Sequence, residues 1–225
     1  MSRAITVSLL LLALSYSTSW ASNEVSLLAT QDAHILDGGS TYPTLSSQNY
    51  GSFPYLNANF SDDTRSIGLL QFDISLIPSK ATIVSSQLKL FHSRNDALDK
   101  QYDLYEVTSS WDESTVTFNT GPSINPTAAA SLTIPDKTSG TYRSWDVTQL
   151  VDKWVDGTDS NFGIWLEENP TPGDGPAYFT SSDWLDSSQH PILTIEYSVV
   201  PEPSSIIICS LMCLSVRGVM SCQHR

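Results

Sequence analysis

Cysteine and basic side chains are both scarce in this sequence. Its three cysteines are Cys209, Cys213 and Cys222, so the long segment before them has no disulfide and must be stabilised by core packing, with or without a bound metal. Lys and Arg total 11 against 24 Asp and Glu, and residues 22–199 keep 8 basic and 23 acidic side chains, a net charge of −15. Such a charge disfavours nucleic acids and anionic membranes as partners, and it makes an anionic polysaccharide a poor ligand unless cations mediate the contact.

The sequence also lacks the motifs of common catalytic sites. It has no nucleophile elbow, phosphate loop or zinc pattern, and its histidines at positions 34, 92 and 190 do not have metal-ligand spacing. Glycoside hydrolases need a facing pair of carboxylates. Asp112 and Glu113 are adjacent, so in a strand their side chains would point to opposite faces, and capping of a loop is the favoured role. A small polysaccharide lyase or hydrolase is therefore the least favoured function.

Neither apolar run of the chain reaches the roughly 20 residues that a membrane-spanning helix needs. The first run, residues 7–14, follows Arg3 and precedes the small residues Ser19 and Ala21. A positive residue, an apolar core and small residues in this order are typical of a secretory signal peptide. We therefore expect residues 1–21 to be a signal peptide that is cleaved after Ala21.

The second apolar run, residues 206–216, follows the motif Pro201, Glu202 and Pro203 and precedes Arg217. This arrangement resembles the PEP-CTERM sorting signal of bacteria that produce exopolysaccharide. The resemblance implies that residues 200–225 are a sorting tail, which anchors the chain transiently in the membrane and is processed by an exosortase-type enzyme. Together, the two ends predict a bacterial protein that is secreted to the extracellular space or held at the surface of the cell envelope.

Residues 22–199 have the length of one domain, and their pattern is that of short β-strands. At 84–90 and at 193–197, apolar side chains alternate with polar ones with the period of two that a half-buried strand requires. Many short strands separated by Gly, Pro, Asn, Asp and Ser indicate a sandwich or a barrel. Further strands are predicted at 67–72, 102–107, 116–119 and 162–167, and residues 127–131 are interpreted as a loop or an edge.

One segment has helical rather than strand periodicity. Val147, Leu150, Val151 and Trp154 are spaced at i, i+3, i+4 and i+7, after the candidate N-cap Asp146 and before Gly157. This spacing predicts a short amphipathic helix that packs against one end of the sandwich, with Trp154 in the core.

The order of motifs resembles the DNRLRE domain, which is grouped with the family-96 carbohydrate-binding modules. Six motifs carry the resemblance: residues 48–51, 65–74, 77–90, 105–119, 145–164 and 178–197. Gln71 is a departure, because members commonly have a basic residue there. The resemblance implies an all-β, jelly-roll-like antiparallel β-sandwich with one short amphipathic helix, and it implies binding rather than catalysis.

Aromatic and basic side chains are the candidates for sugar contact, because such modules stack sugar faces on exposed rings and fix hydroxyls with polar groups. Trp184 lies in a loop at 181–190, where it is either an exposed contact or a core residue. Tyr55, in a predicted loop, and Trp165 are further candidates. Arg94 and Lys100 bracket an irregular segment and are candidates for contact with hydroxyls or carboxylates, unless they are merely solvated.

Structural calcium is the one cofactor that the sequence suggests, because oxygen ligands are abundant and disulfides are lacking. Asp32 and Asp37 near the first strand, and Asp183 and Asp186 near the last, are the candidate ligands. The alternative is that these residues only cap loops and solubilise the surface.

The sequence thus predicts a non-catalytic extracellular or envelope-associated protein that binds carbohydrate, namely the exopolysaccharide of its own cell. The alternative is a structural surface or adhesion module that acts through protein contacts.

Overall fold

In a computed structural model, the chain is described at residues 22–61, 63–95, 99–135, 137–170 and 177–199. The signal peptide predicted at 1–21 and the sorting tail predicted at 200–225, with Pro201, Glu202 and Pro203, lie outside these residues. The described part contains ten strands and one α-helix, so the all-β prediction is confirmed. The strands are β1 Ser22–Asp37, β2 Tyr55–Phe60, β3 Arg65–Phe72, β4 Thr82–Asn95, β5 Lys100–Val107, β6 Ile124–Ile134, β7 Thr141–Asp146, β8 Ile164–Glu168, β9 Ala177–Thr180 and β10 Ile192–Ser198, and the helix α1 is Thr148–Asp156.

All strand pairs are antiparallel. The strands β1 and β2 each change partner along their length and so connect the two sheets of the sandwich. β1 pairs with β10 up to Leu28 and with β3 from Ala29 onward, with a bulge between Ala29 and Gln31 that turns the strand from one sheet to the other. β2 similarly pairs with β9 and then with β3. Six strands, in the order β1, β10, β4, β9, β2 and β3, therefore close into a ring. The sheet continues from β3 through β8 and β5 to β6.

Most strands predicted from alternation are present, and one is wrong. The predictions at 67–72, 84–90, 102–107 and 193–197 all fall within strands, and the one at 162–167 begins two residues before β8. Residues 127–131 lie in β6, at an edge of the sheet. Residues 116–119, in contrast, lead into a 3-10 turn at Phe118–Thr120, because Thr117 and Thr120 cap each other's backbone N–H groups.

The predicted helix is confirmed at α1, and it buries one face. Gly157 ends it with a φ of 81°, the left-handed conformation that glycine adopts without a steric cost. Leu150, Val151 and Trp154 join the main core between the sheets, as their spacing indicates. No helix in the part of the chain that the structure describes is long and apolar enough to cross a membrane.

The sheet that contains β3 is apolar on both faces. Leu70 and Phe72 face the main core, whereas Ile67 and Leu69 belong to a second cluster on the opposite face. The long segment at 108–123 covers this second cluster with Trp111 and Phe118. The main core is lined on one side by Leu56, Leu88, Leu90, Phe179, Leu193 and Ile195, and on the other by Leu70, Phe72, Tyr102, Leu104, Ile164 and Leu166.

Candidate functional site

Four aromatic side chains from three separate segments lie side by side on the protein surface. We call Phe53, Tyr55, Tyr178 and Trp184 the aromatic strip. The ring centre of Tyr55 is 4.9 Å from that of Trp184, 5.8 Å from that of Tyr178 and 6.2 Å from that of Phe53. Phe53 is 44% exposed, and the other three rings are partly exposed. Tyr55 therefore occupies the centre of a continuous aromatic surface that solvent can reach.

The alternation of two paired strands places two of these rings. In β2, Leu56 and Ala58 are fully buried, so Tyr55 at the start of the strand lies on the opposite, outer face. In β9, Phe179 is buried and Tyr178 lies on the outer face. Because β2 and β9 are antiparallel neighbours, their outer side chains meet on one surface.

A basic side chain extends the strip at Tyr178. The guanidinium carbon of Arg94 is 5.9 Å from the centre of the Tyr178 ring, a distance at which a cation is attracted to the ring face. Arg94 and Tyr178 are partners in the pairing of β4 with β9, after a register shift between His92 and Arg94. The strip therefore combines ring faces with an exposed cation.

The loop that carries Trp184 is held by hydrogen bonds on both sides of the ring. The backbone N–H of Ser182 donates to Asp32 Oδ2 over 2.8 Å, and Ser181 Oγ donates to the carbonyl oxygen of Phe53 over 2.8 Å. On the other side, His190 Nε2 lies 2.8 Å from the carbonyl oxygen of Trp184. These hydrogen bonds fix the loop backbone on both sides of Trp184, and a fixed backbone lowers the entropy cost of any binding at this loop.

Two further rings support the strip from beneath. His34 stacks on Tyr50 with ring centres 4.5 Å apart and meets Phe53 at 5.2 Å, while its Nδ1 lies 3.2 Å from the carbonyl oxygen of Tyr55. Burial lowers the pKa of His34 to about 4, so this ring is neutral at neutral pH. His34 therefore acts as a packed support of the strip rather than as a charged contact.

An acidic groove lies beside the strip. It has a volume of about 630 Å³ and is lined by the segments at 49–52 and 112–114 and by Gln31 and Asp183. Asp32 is fully buried behind it, and burial raises the pKa of its carboxyl to about 7. Burial also raises the pKa of Glu113, and the charges of Asp183 and Asp112 raise it further. The groove thus concentrates negative charge at one point of the surface.

Of the four predicted metal ligands, the structure brings only two together. The charge of Asp183 acts on Asp32, whereas Asp37 and Asp186 each cap a local turn by accepting a backbone N–H, from Gly39 and Ser188 respectively. Over the described ranges, no group of three or more acidic, histidine or cysteine side chains is arranged as a metal centre.

Two of the predicted sugar contacts are buried and are removed from the site for that reason. Trp165 is 7% exposed in the second cluster, and its Nε1 donates to Glu167 Oε2 over 2.9 Å. Lys100 is 1% exposed, and its Nζ lies 2.5 Å from Glu168 Oε1 in an ion pair inside the protein. Neither side chain can reach a ligand at the surface. The prediction that Tyr55 lies in a loop was wrong, because Tyr55 is the first residue of β2. Its side chain is on the outer face of that strand.

The three other predicted contacts, Trp184, Tyr55 and Arg94, are brought to one surface by the fold. Phe53 and Tyr178 lie on the same surface, but the sequence analysis did not select them as candidate sugar contacts. The signal for Tyr178 was present in the sequence, because it alternates with Ala177 and Phe179, which are both buried. Phe53 has no such signal, since it lies in the turn before β2.

Comparison with known families gives one match. The model described as "Carbohydrate-binding module family 96" matches residues 23–197, which include nearly all of β1 and β10 and everything between them. A search of curated proteins finds no match for the chain.

Proposed function

Because the chain belongs to carbohydrate-binding module family 96, we propose that it is a non-catalytic protein that binds polysaccharide through the aromatic strip and Arg94. The observation that carries this assignment is the meeting of three rings on one surface, where the ring centre of Tyr55 lies 4.9 Å from that of Trp184 and 5.8 Å from that of Tyr178. Aromatic faces bind the apolar faces of sugar rings, and a neighbouring cation fixes hydroxyl or carboxylate groups. An exposed strip of this kind has the composition of a sugar contact.

The tilt of the rings favours one kind of polysaccharide. The planes of Tyr55 and Trp184 are inclined by 43° and those of Tyr55 and Tyr178 by 70°. Coplanar rings would fit the flat surface of a crystalline polymer, whereas inclined rings present a surface that changes direction. We therefore assign to the strip a single soluble chain that turns along its length, with several sugar units in contact.

The expected setting is the outside of a bacterial cell, and the polysaccharide is the exopolysaccharide of that cell. The signal-peptide pattern at 1–21 and the resemblance of residues 200–225 to a sorting signal of exopolysaccharide producers support this part of the proposal. The same patterns support transient anchoring and processing by an exosortase-type enzyme. Acid groups exceed basic ones, which suits a protein that stays soluble in a hydrated matrix.

Binding is tested with the purified protein on a panel of neutral and acidic bacterial polysaccharides, by affinity electrophoresis and then by calorimetry. For a polysaccharide that is retained, Trp184→Ala should weaken binding by about 1 to 3 kcal/mol, roughly five- to 150-fold, because the stacked ring is lost. Tyr42→Ala is the matched control, since Tyr42 is 57% exposed and has no ring contact with the strip. Equal affinity of the Trp184 variant and the wild type would remove the strip from the site.

Retention of no glycan at all would instead favour the structural or adhesion role through protein contacts. Incubation of the same polysaccharides with the protein, followed by an assay for new reducing ends or unsaturated products, tests catalysis directly. We expect no products, and their appearance would overturn the non-catalytic assignment.

A further inference from the structure

The carboxylate of Asp32 is in an unusual environment for a charged group. Its side chain is fully buried, and only one of its two oxygens has a hydrogen bond, from the backbone N–H of Ser182 to Oδ2. The other oxygen, Oδ1, has no hydrogen-bond partner. Burial of an ionised oxygen without a partner is strongly unfavourable, so buried carboxylates are paired, protonated or bound to a cation.

The charged neighbours of Asp32 are also acidic, so they do not neutralise the negative charge of its carboxylate. Glu113 Oε1 lies 3.4 Å from the backbone nitrogen of Asp32, and the charges of Glu113 and Asp183 both act against ionisation of Asp32. The carboxyl groups of Asp32, Glu113 and Asp183 are thus close enough to repel one another, although they do not form a preformed metal centre, and a positive ion beside Asp32 would relieve that repulsion.

The groove in front of these carboxyl groups has rigid walls. Asn49 Nδ2 donates to the carbonyl oxygens of Glu113 and Val116, over 2.7 and 2.8 Å, and so joins the segments at 49–52 and 112–114. The backbone N–H of Glu113 donates to Gln31 Oε1 over 3.1 Å, which ties the same wall to β1. Besides its acidic residues, the groove is lined by Gln31, Asn49, Ser52 and Ser114, whose side chains carry neutral oxygens.

We propose that a divalent cation of the calcium type binds between the buried Asp32 Oδ1 and this groove, where the Glu113 carboxylate would also hold it and where Asp183 lines the rim. All available donors are oxygens, which Ca²⁺ prefers, and Ca²⁺ accepts a mixture of carboxylates, carbonyls and waters in flexible geometry. Few acidic ligands suffice for such a site, because neutral oxygens and waters complete the shell. The residues differ from those expected from the sequence: Glu113 joins Asp32 and Asp183, and Asp37 and Asp186 do not take part.

The cation has a structural consequence for its surroundings. It binds where β1, the segment at 112–114 and the loop after β9 meet, and Asp32 also holds Ser182 in that loop. A cation at this point replaces repulsion among three carboxylates by a common attraction. The site is independent of sugar contact, so its test contains no glycan.

The test is Tb³⁺ luminescence of the full protein at neutral pH, excited through the tryptophan absorption, because Trp184 follows Asp183 directly in the chain. We expect saturable emission that Ca²⁺ displaces with a Kd on the order of 0.1 to 1 mM, the range of extracellular modules. Asp32→Asn and Glu113→Gln should each abolish it. Asp156→Asn, an equal loss of charge at the exposed end of α1, should leave it unchanged.

Thermal unfolding gives a second measurement that does not depend on luminescence. Ca²⁺ at millimolar concentration should raise the Tm of the wild type by several degrees and leave that of Asp32→Asn unchanged. In calcium-free buffer, Asp32→Asn should unfold at an equal or higher temperature than the wild type, which also shows that this variant folds. Emission that is not saturable, emission that is the same in all four proteins, or a Tm that Ca²⁺ does not change would overturn the proposal.

Discussion

Acid should destabilise this protein through the buried imidazole of His92. This side chain is fully buried on β4, with its ring 5.2 Å from that of Phe179, and burial lowers its pKa from 6.5 to about 4, with a further contribution from the charge of Arg143. The folded state therefore keeps His92 neutral at a pH where the unfolded chain already binds the proton. The contribution of His92 to stability is fully present above the unfolded pKa and is lost as the pH falls from 6.5 toward 4.

The size of the effect follows from the shift in pKa. One pKa unit corresponds to about 1.4 kcal/mol, so at about pH 4.5, where most of the shift is expressed, His92 should lower the free energy of unfolding by about 2 to 3 kcal/mol relative to pH 7.5. Urea unfolding of the wild type and of His92→Gln at both pH values isolates this part, because Gln does not titrate. We expect His92→Gln to lose about 2 to 3 kcal/mol less between the two pH values. An equal loss in both proteins would refute the reasoning, since it would assign the acid sensitivity to other groups.

Two further changes test the packing. Lys100→Met leaves Glu168 buried without its cation and should lower the free energy of unfolding by about 3 to 5 kcal/mol in urea, whereas addition of Glu168→Leu should restore most of it. Gly163→Ala should cost more than about 2 kcal/mol, because φ is 101° and the new Cβ would lie 2.2 Å from the Leu70 carbonyl oxygen. Gly140→Ala is the matched control, with φ of 74° but no atom within 4 Å of the new Cβ, so a cost as large as that of Gly163→Ala would exclude the clash as the cause.

The elements predicted correctly are those whose signal is local. Alternation at 67–72 and 193–197 and the spacing from Val147 to Trp154 depend only on which face of an element is buried, and β3, β10 and α1 follow from them. The prediction of a strand at 116–119 was wrong because it used the same alternation, and the mutual capping of Thr117 and Thr120 decided the backbone instead. Side-chain hydrogen bonds of this kind are not visible in a hydrophobic pattern.

The candidate site could be predicted only in parts. Trp184, Tyr55 and Arg94 were each selected for their residue type, but their proximity depends on the pairing of β9 with β2 and β4, which joins residues far apart in the chain. Glu113 illustrates the same limit, because its approach to Asp32 spans 81 positions and no local spacing indicates it. The sequence therefore indicated which residue types could contact a ligand. Which of these residues are neighbours in space is determined by the pairing of the strands.

Trp165 and Tyr55 differ in solvent exposure, although they have similar positions on their strands. Both are aromatic residues that point away from the main core, each on a strand whose alternate residues are buried in that core. The segment at 108–123 covers Trp165 with other aromatic rings, whereas the aromatic rings around Tyr55 stay partly open to solvent. The same chain thus covers one aromatic face with a loop and leaves the other open. Exposed apolar surface is unfavourable and a loop can cover it, so the open aromatic strip is the feature of this fold on which the proposed sugar contact depends.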